Sequence, residues 1–592
     1  IELTTPEVMP CIEPPKDWTS VSEGGWHTEE MRRAYPFVVR ASPRQRQHFK
    51  DNDMSVEFTA VNKLQKTAWQ VNGRLLEAML SVARHFDMDE VIGQAEFPAP
   101  ERPMFLDEIK DKADMTPEQE IIFTQWKRER AEWHVQMKLR GTKWGRFFTA
   151  TRMARKFKEF NAIYFTYFID FRGRKYALTT GISPQGSDMQ KSLLRFAQGK
   201  PLSSPEAEEW FLCAGANRFG VDKVSLADRV RWVKEHHEQI IGFAADPITN
   251  NSWREADSPF QFLAWCFEYA DYVALGIERF VSYLPIGMDG SCNGLQNFSA
   301  MLRDEVGGLA TNLIPGPLPQ DIYARVAAVT MASLAAGRSK DDPEAADKYK
   351  PRWVAHGINR SLVKRSVMTL PYGSTRFSCA DFIVGDYMKQ GKVPVFAKFE
   401  YGPAATFLSH HVWDSIGQVV VKAREAMDWL QKCAGVLIKK GETSISWVSP
   451  SGFPAIQSYY KTEVHRINTM LCGGTKLRLP SETDEPDLHR HKNGIAPNFI
   501  HSMDAAHLTL TVAACASPSS RIDALAMIHD DYGTHAADCP ELARILREVF
   551  IKMYTDHDPL QELVDRYPCL PPPPKRGTLV LEDVMNSVYF FR

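Results

Sequence analysis

The stretch Gly357–Gly373, Gly-Ile-Asn-Arg-Ser-Leu-Val-Lys-Arg-Ser-Val-Met-Thr-Leu-Pro-Tyr-Gly, constrains this chain more than any other. Arg360, Lys364, Met368 and Tyr372 recur every four residues, a spacing that stacks side chains along one face of a helix. That face carries two cations, a soft apolar side chain and a ring with a hydroxyl. As chemistry it is a ladder for a nucleoside triphosphate, with cations for the phosphates and a ring near the sugar and base. Pro371 should end or kink the helix just before Tyr372, because it has no N–H and disfavours a helical Leu370. Gly373 then permits a turn. Taken alone, the stretch reads more commonly as a basic amphipathic surface helix.

Two carboxylate motifs change that balance. Asp289-Gly-Ser-Cys-Asn-Gly-Leu-Gln follows the short apolar run Tyr283–Met288, which has strand character. An acid at a strand end followed by Gly290 offers a carboxylate and a bare backbone carbonyl to one hard cation. Residues 524–534, Ala-Leu-Ala-Met-Ile-His-Asp-Asp-Tyr-Gly-Thr, read as strand, acidic turn, strand. Alternation places Leu525, Met527 and His529 on one side, with Ala526, Ile528 and Asp530 on the other. Asp531 is then expected to point away from the side that would hold a metal. A single acid at a strand end is ordinarily a turn cap. Two of them beside an Arg/Lys/Tyr helix form a much rarer set.

Arg360-x3-Lys364-x7-Tyr372-Gly373, the motif from Asp289 and Ile528-His-Asp530 together resemble the three polymerase motifs of the single-subunit RNA polymerases of phages and mitochondria. Residues 297–308 and 364–370 are more similar to the phage branch, and the resemblance runs from about Trp18 to the C-terminus. It implies an α+β right-hand fold, mostly helical with a small antiparallel palm sheet. Residues 1–70 would be the remnant of an N-terminal domain, since family members carry a large domain ahead of the matched part and this chain begins with Ile1. Residues 71–160 would be the thumb, 161–305 the first part of the palm, 306–501 the fingers, and 502–592 the second part of the palm with a C-terminal foot. The implied activity is DNA-directed RNA synthesis from promoters in double-stranded DNA, by a monomer using ribonucleoside triphosphates and two Mg²⁺ ions. Asp289, Gly290 and Asp530 would hold the metals, with Lys364 and Arg360 on the phosphates. Met368, Tyr372, Tyr323, Gly294 and Lys223 match nucleotide-binding positions. Arg172, Arg174 and His501 match positions that meet the template or the nascent RNA terminus. Tyr589-Phe-Phe-Arg592 resembles a C-terminus that folds back towards the catalytic site.

Other segments carry readings of their own. Ala60–His85 has helical spacing. Thr116-Pro117-Glu118-Gln119 is an N-cap, a first-turn proline and a capping-box glutamine, so a helix starts there. From Lys127 to Lys158 there are eleven Lys/Arg against Glu129 and Glu132, interleaved with Trp126, Trp133, Trp144, Phe147 and Phe148. That excess favours phosphate contact over a merely solvated face. In Asp170-Phe-Arg-Gly-Arg, Gly173 lets the backbone approach a phosphate that Arg172 and Arg174 clamp. Residues 200–280 read as largely helical and 338–350 as a polar loop. Residues 465–479 read as a hairpin turning near Gly473-Gly474, within a specificity element of about 459–487. With a three-residue loop, Arg466, Asn468, Lys476 and Arg478 line one face, suited to major-groove base edges.

Composition adds exclusions. A formal charge of −2 over 592 residues gives no global sign of a nucleic-acid binder, so a DNA surface must be a local patch. Ten cysteines without a Cys-x-x-Cys pair argue for reduced thiols and against structural zinc. Without a signal peptide or an apolar run of ~18 residues, neither secretion nor membrane insertion is indicated, and the expected location is the cytoplasm, that of a host if phage-encoded. Two rival readings remain. A family-A DNA polymerase shares the Arg/Lys/Tyr-Gly frame, but would place Phe at Met368 and Glu at Gly294. A non-catalytic DNA-binding module would have no use for Asp289 and Asp530 beside the ladder.

Overall fold

Helices dominate, and most begin where the sequence supplies a cap. The computed structural model describes every residue except 1–6, 87, 89–91, 94–97, 110, 112, 113, 394, 471–473, 475 and 592. The principal elements begin with α1 (Ser55–Gln65), β1 (Trp69–Val71) and α2 (Gly73–His85). The helical run expected from Ala60 to His85 is therefore interrupted: β1 pairs antiparallel with Leu194–Phe196, a partner too distant in sequence for local spacing to reveal. Helix α3 (Pro117–Phe157) starts as expected, with Gln119 N–H donating to the Thr116 hydroxyl and the Gln119 side chain accepting from Thr116 N–H. Trp144 and Phe148 on it are exposed among the basic residues.

Strands β2 (Tyr167–Asp170) and β3 (Lys175–Ala177) form a hairpin through the Asp170–Arg174 turn, and Leu194–Phe196 is β4. Helices α4 (Pro205–Phe219) and α5 (Pro259–Leu275) belong to the expected helical insertion. Then come β5 (Ile286–Asp289), α6 (Asn293–Leu302), α7 (Ile322–Ala336), α8 (Pro343–His356) and α9 (Arg360–Met368). Helix α8 replaces most of the polar loop expected at 338–350. Asp342 accepts from Ala345 N–H and Pro343 opens the first turn, and these local starts outweigh the polar composition.

Helices α10 (Tyr401–Val419) and α11 (Val421–Lys439) precede a long hairpin, β6 (Tyr460–Asn468) and β7 (Lys476–Pro486). The register pairs Arg466 with Arg478 and Asn468 with Lys476, so all four side chains share one exposed face. The connecting segment spans 469–475, longer than the expected three residues, and Gly473 lies outside the described residues. Helix α12 (Leu488–Cys515), strands β8 (Ala526–Ile528) and β9 (Asp531–Thr534) and helix α13 (Cys539–Asp556) follow. Strands β5, β9 and β8, in that order, make a three-stranded antiparallel sheet. It packs against α4 and α13, and Tyr532 on it reaches His507 of α12, inside a continuous apolar core that runs from Trp18 to Phe591. Among the described residues no helix is long and apolar enough to cross a membrane, and the cysteines are unpaired.

Candidate active site

The small sheet brings Asp289 and Asp530 together. Asp289 ends β5, and Asp530 sits with His529 in the tight turn between β8 and β9. His529 takes a left-handed φ of 56°, and Gly290 N–H donates to the Asp530 carbonyl at 3.4 Å. Ile286, Met288 and Tyr532 are buried on one face of the sheet, whereas Gly287 and Asp289 open onto a cavity on the other. Asp531 stands directly opposite Asp289 in the ladder and so shares its face. The expectation that Asp531 points away is therefore wrong: the turn at His529–Asp530 breaks the alternation read along the chain.

The cavity, about 690 Å³, is lined by Asp289, Gly290, Asp530 and Asp531 on one side. Arg360, Lys364, Met368 and Tyr372 face them, and Tyr323, Lys223, Arg174 and His501 complete the rim. Helix α9 presents its ladder because Leu362, Val363, Ser366 and Val367 are buried on its other side. Asn359 caps the helix by accepting from Leu362 N–H at 3.1 Å. Arg360 donates to Asp321 and its guanidinium lies 5.1 Å from the centre of the Tyr323 ring. The helix ends at Met368, a single 3₁₀ turn carries Leu370–Tyr372, and Gly373 adopts φ 81°, as Pro371 and Gly373 led one to expect.

Tyr372 packs at 4.6 Å on the His501 ring. Its hydroxyl also lies close to Gly294: a Cβ built there would be 3.3 Å from that oxygen and 2.9 Å from Pro371 Cβ. Gly294 thus admits Pro371 and Tyr372 rather than leaving an open space, and it is buried behind the cavity wall.

The arginines of the Asp170–Arg174 turn are engaged with carboxylates. Arg174 Nε donates to Asp504 at 3.0 Å, and Arg172 Nε donates to Asp170 at 3.0 Å. Arg172 Nη1 also donates to His501 Nδ1 at 2.7 Å, which fits a neutral ring, since burial and the two guanidiniums hold His501 down at about 2. Gly173 has φ 102°, and a Cβ there would lie 3.2 Å from the Phe453 ring. Close packing of the turn, instead of a phosphate, requires that glycine.

Burial and the neighbouring charges of Asp530 and Asp531 push the Asp289 carboxyl well above the usual carboxylate range, against the pull of Gly290 N–H and Lys223. Burial also raises Asp530, opposed by Arg174. Crowded, hard oxygen donors of this kind fit divalent cations, which would relieve the mutual repulsion. Asp289, Asp530 and Asp531 share one end of the cavity, although among the described residues no three His, Cys, Asp or Glu side chains are grouped as a metal cluster. The C-terminus buttresses that end: Phe591 bridges to Gly290, and Gln296 Nε2 donates to the Phe590 carbonyl at 3.1 Å. Arg592 lies outside the described residues.

Sequence reasoning missed Asp321 and Asp504, the partners of Arg360 and Arg174. Asp321 looks like an ordinary N-cap, which it also is, and Asp504 lies in a helix with no local signal. Arg172 and the four hairpin residues are not among the residues that line the cavity.

Paired carboxylates facing a cation–phenol ladder define a nucleotidyltransferase. Residues 201–569 match the family described as DNA-dependent RNA polymerase. T7 RNA polymerase of Escherichia phage T7 is 36% identical over 99% of this chain and 70% of its own length. The DNA-directed RNA polymerase of Enterobacteria phage T3 is 34% identical with the same coverage. A chloroplastic/mitochondrial DNA-directed RNA polymerase of Nicotiana tabacum is 32% identical over 98% of this chain and 56% of its own length. The chain belongs to the single-subunit DNA-dependent RNA polymerase family, and it is an enzyme that transfers nucleotides.

Proposed function

We propose that this chain extends RNA on a DNA template at the cavity between Asp289, Asp530 and helix α9. The observation that carries the reading is that Asp289, at the end of β5, and Asp530, in the turn between β8 and β9, line one cavity with Arg360 and Lys364. Asp289, Asp530 and the Gly290 carbonyl would hold two Mg²⁺ ions, which when bound would acidify the RNA 3′-OH and neutralise phosphate oxygens. Lys364 and Arg360 bind the triphosphate and offset charge as it develops on the leaving group. Asp321 holds Arg360 until phosphate replaces it. Tyr372, set by Pro371 and braced on His501, lies where the sugar would pass, with Met368 and Tyr323 beside the base. Lys223 faces the phosphate side, and Arg172, Arg174 and His501 order the floor under the template and RNA terminus.

In this reading the chain is a right hand, with thumb 71–160, palm 161–305 and 502–592, and fingers 306–501. It acts as a monomer on promoter DNA, and the exposed face of Arg466, Asn468, Lys476 and Arg478 reads base edges. The test is extension of an RNA primer on a preassembled RNA–DNA scaffold, offering ribo- and deoxyribonucleotides separately. Ribonucleotide preference is expected, and deoxyribonucleotide preference would refute the assignment.

A further inference from the structure

An ion pair buried next to the Asp170–Arg174 turn has no place in the catalytic cavity. Lys175, the first residue of β3, pairs with Glu57 of α1, and each side chain is only 1% exposed. Lys175 Nζ also donates to the Gly173 carbonyl at 3.1 Å and to the Thr509 hydroxyl, so its three N–H bonds are all taken. Thr509 belongs to α12 and in turn donates to the Ala505 carbonyl at 2.7 Å. The other oxygen of Glu57 accepts from the Ser451 hydroxyl at 2.7 Å. None of Lys175, Glu57, Thr509 and Ser451 is among the residues that line the cavity.

The surroundings are apolar. Across the hairpin Lys175 stands opposite the buried Ile169, and Glu57 shares its helix with the buried Ala60, Val61 and Leu64. Stability alone gives no reason for two charges here, because a buried ion pair is commonly no more stable than an apolar pair of similar volume. What this pair has that methyl groups lack is a directed bond to one carbonyl. In the turn, Asp170 holds the N–H groups. Its side chain accepts from Arg172 N–H at 2.9 Å and Arg174 N–H at 3.1 Å, and its carbonyl from Gly173 N–H at 3.0 Å. Lys175 holds the carbonyl of Gly173, the residue between the two arginines. Those arginines reach His501 and Asp504, and His501 packs on Tyr372.

We propose that Lys175 is a positioning residue for nucleotide addition. Tied to α1 through Glu57 and to α12 through Thr509, it fixes the Gly173 carbonyl, and thereby the arginines that set His501 and Tyr372. The role rests on the polymerase reading of the cavity. Glu57 supplies the charge that keeps the lysine in an apolar layer, whereas the position of the turn depends on the bond from Lys175 to Gly173.

The test is single-nucleotide extension on a preassembled RNA–DNA scaffold, measured per folded molecule and beside urea unfolding. The variants are Lys175→Met, Glu57→Gln and the double variant Glu57→Leu/Lys175→Met. Lys175→Met strands Glu57 and releases the carbonyl, so stability and kcat should both fall. A shift of the turn by about 0.5–1 Å should lower kcat roughly ten- to a hundredfold. The KM for nucleotide should move by a smaller factor, because Arg360 and Lys364 stand on α9 and not on the turn. The double variant should regain the lost stability and stay as slow as Lys175→Met. Glu57→Gln removes the counter-charge but leaves the Lys175 amine to donate to Gly173, so it should lose stability and keep most of its kcat. A double variant that regains kcat together with stability, a Glu57→Gln as slow as Lys175→Met, or a loss carried by KM would each overturn the proposal. Should the double variant stay unstable, the contrast between Lys175→Met and Glu57→Gln decides alone. Failure of the unmodified enzyme to add any ribonucleotide to the scaffold would instead overturn the polymerase reading itself.

Discussion

Gly294→Ala is the sharpest probe of how the sugar end of the site is built. The new Cβ would stand 2.9 Å from Pro371 Cβ and 3.1 Å from its Cγ, against an ordinary contact near ~3.8 Å. Pro371 is a rigid, buried ring inside a single 3₁₀ turn, so relief has to come from moving the turn that carries Tyr372. Overpacking of this kind costs about 1–3 kcal/mol. A shift of roughly 0.5–1 Å in a positioning side chain costs about ten- to a hundredfold in rate. Nucleotide incorporation on a preassembled scaffold should fall by that factor, and urea unfolding should lose the stated stability. Gly145→Ala is the control, because that exposed helix glycine has nothing within 4 Å of its added Cβ. It should stabilise the protein by about 0.5–1 kcal/mol and leave activity alone. If Gly294→Ala behaves like Gly145→Ala, the close fit of Tyr372 against α6 is not what sets the site.

Four further outcomes are expected. Asp289→Asn or Asp530→Asn should lower elongation by several powers of ten, yet stabilise the metal-free protein at pH 8, because it removes a charge from a crowded acid set; near-normal elongation would refute the roles assigned. Tyr372→Phe should retain ribonucleotide activity and lose about tenfold in ribose over deoxyribose discrimination, read as the ratio of kcat/KM values, on the scale of one hydrogen bond. Exchanging Arg466, Asn468, Lys476 or Arg478 should change promoter choice by ~1–3 kcal/mol per base contact and leave scaffold extension intact; equal damage to both would make the hairpin merely structural. Arg174→Met strands Asp504, whose carboxyl burial already lifts from 3.8 to about 6, so the folded state binds the extra proton and stability falls as pH rises through that window. Without Arg174 the carboxyl rises further, so the loss should be about 3–5 kcal/mol at pH 8 and smaller at pH 5.5, and an equal loss at both pH values would refute it.

The ladder of helix α9 was legible because everything that shapes it is local: four-residue spacing, a proline and a glycine. The same holds for the start of α3 and for the shared face of the hairpin residues, which survives a longer loop because the register is what fixes it. Errors arose where distant partners decide. Strand β1 exists because Leu194–Phe196 pairs with it, and Arg174 faces a carboxylate because α12 delivers Asp504. Asp531 was misplaced by assuming an unbroken strand, when a left-handed His529 resets the phase. At 338–350 the starting signal of Asp342-Pro343 was in plain view, and polar composition obscured it. Gly294 was expected to leave open the room a glutamate would occupy, whereas Pro371 and Tyr372 fill it, a contact between distant segments that a chain read alone cannot show.

Helix α12 has a mechanical consequence. It begins directly after the hairpin, with His491 bonded to Gln457 and to Tyr459 N–H at the hairpin's base. It then carries His501 to Tyr372 and Asp504 to Arg174, with Pro497 inside the helix between the hairpin end and His501. Leu488 to Asp504 spans ~24 Å at the helical rise. A displacement at the base of the hairpin is passed along one helix, softened where Pro497 lacks an N–H for the ladder, to the stacked rings of His501 and Tyr372. Under the proposed function, gripping a promoter and accepting a nucleotide would load the same strut.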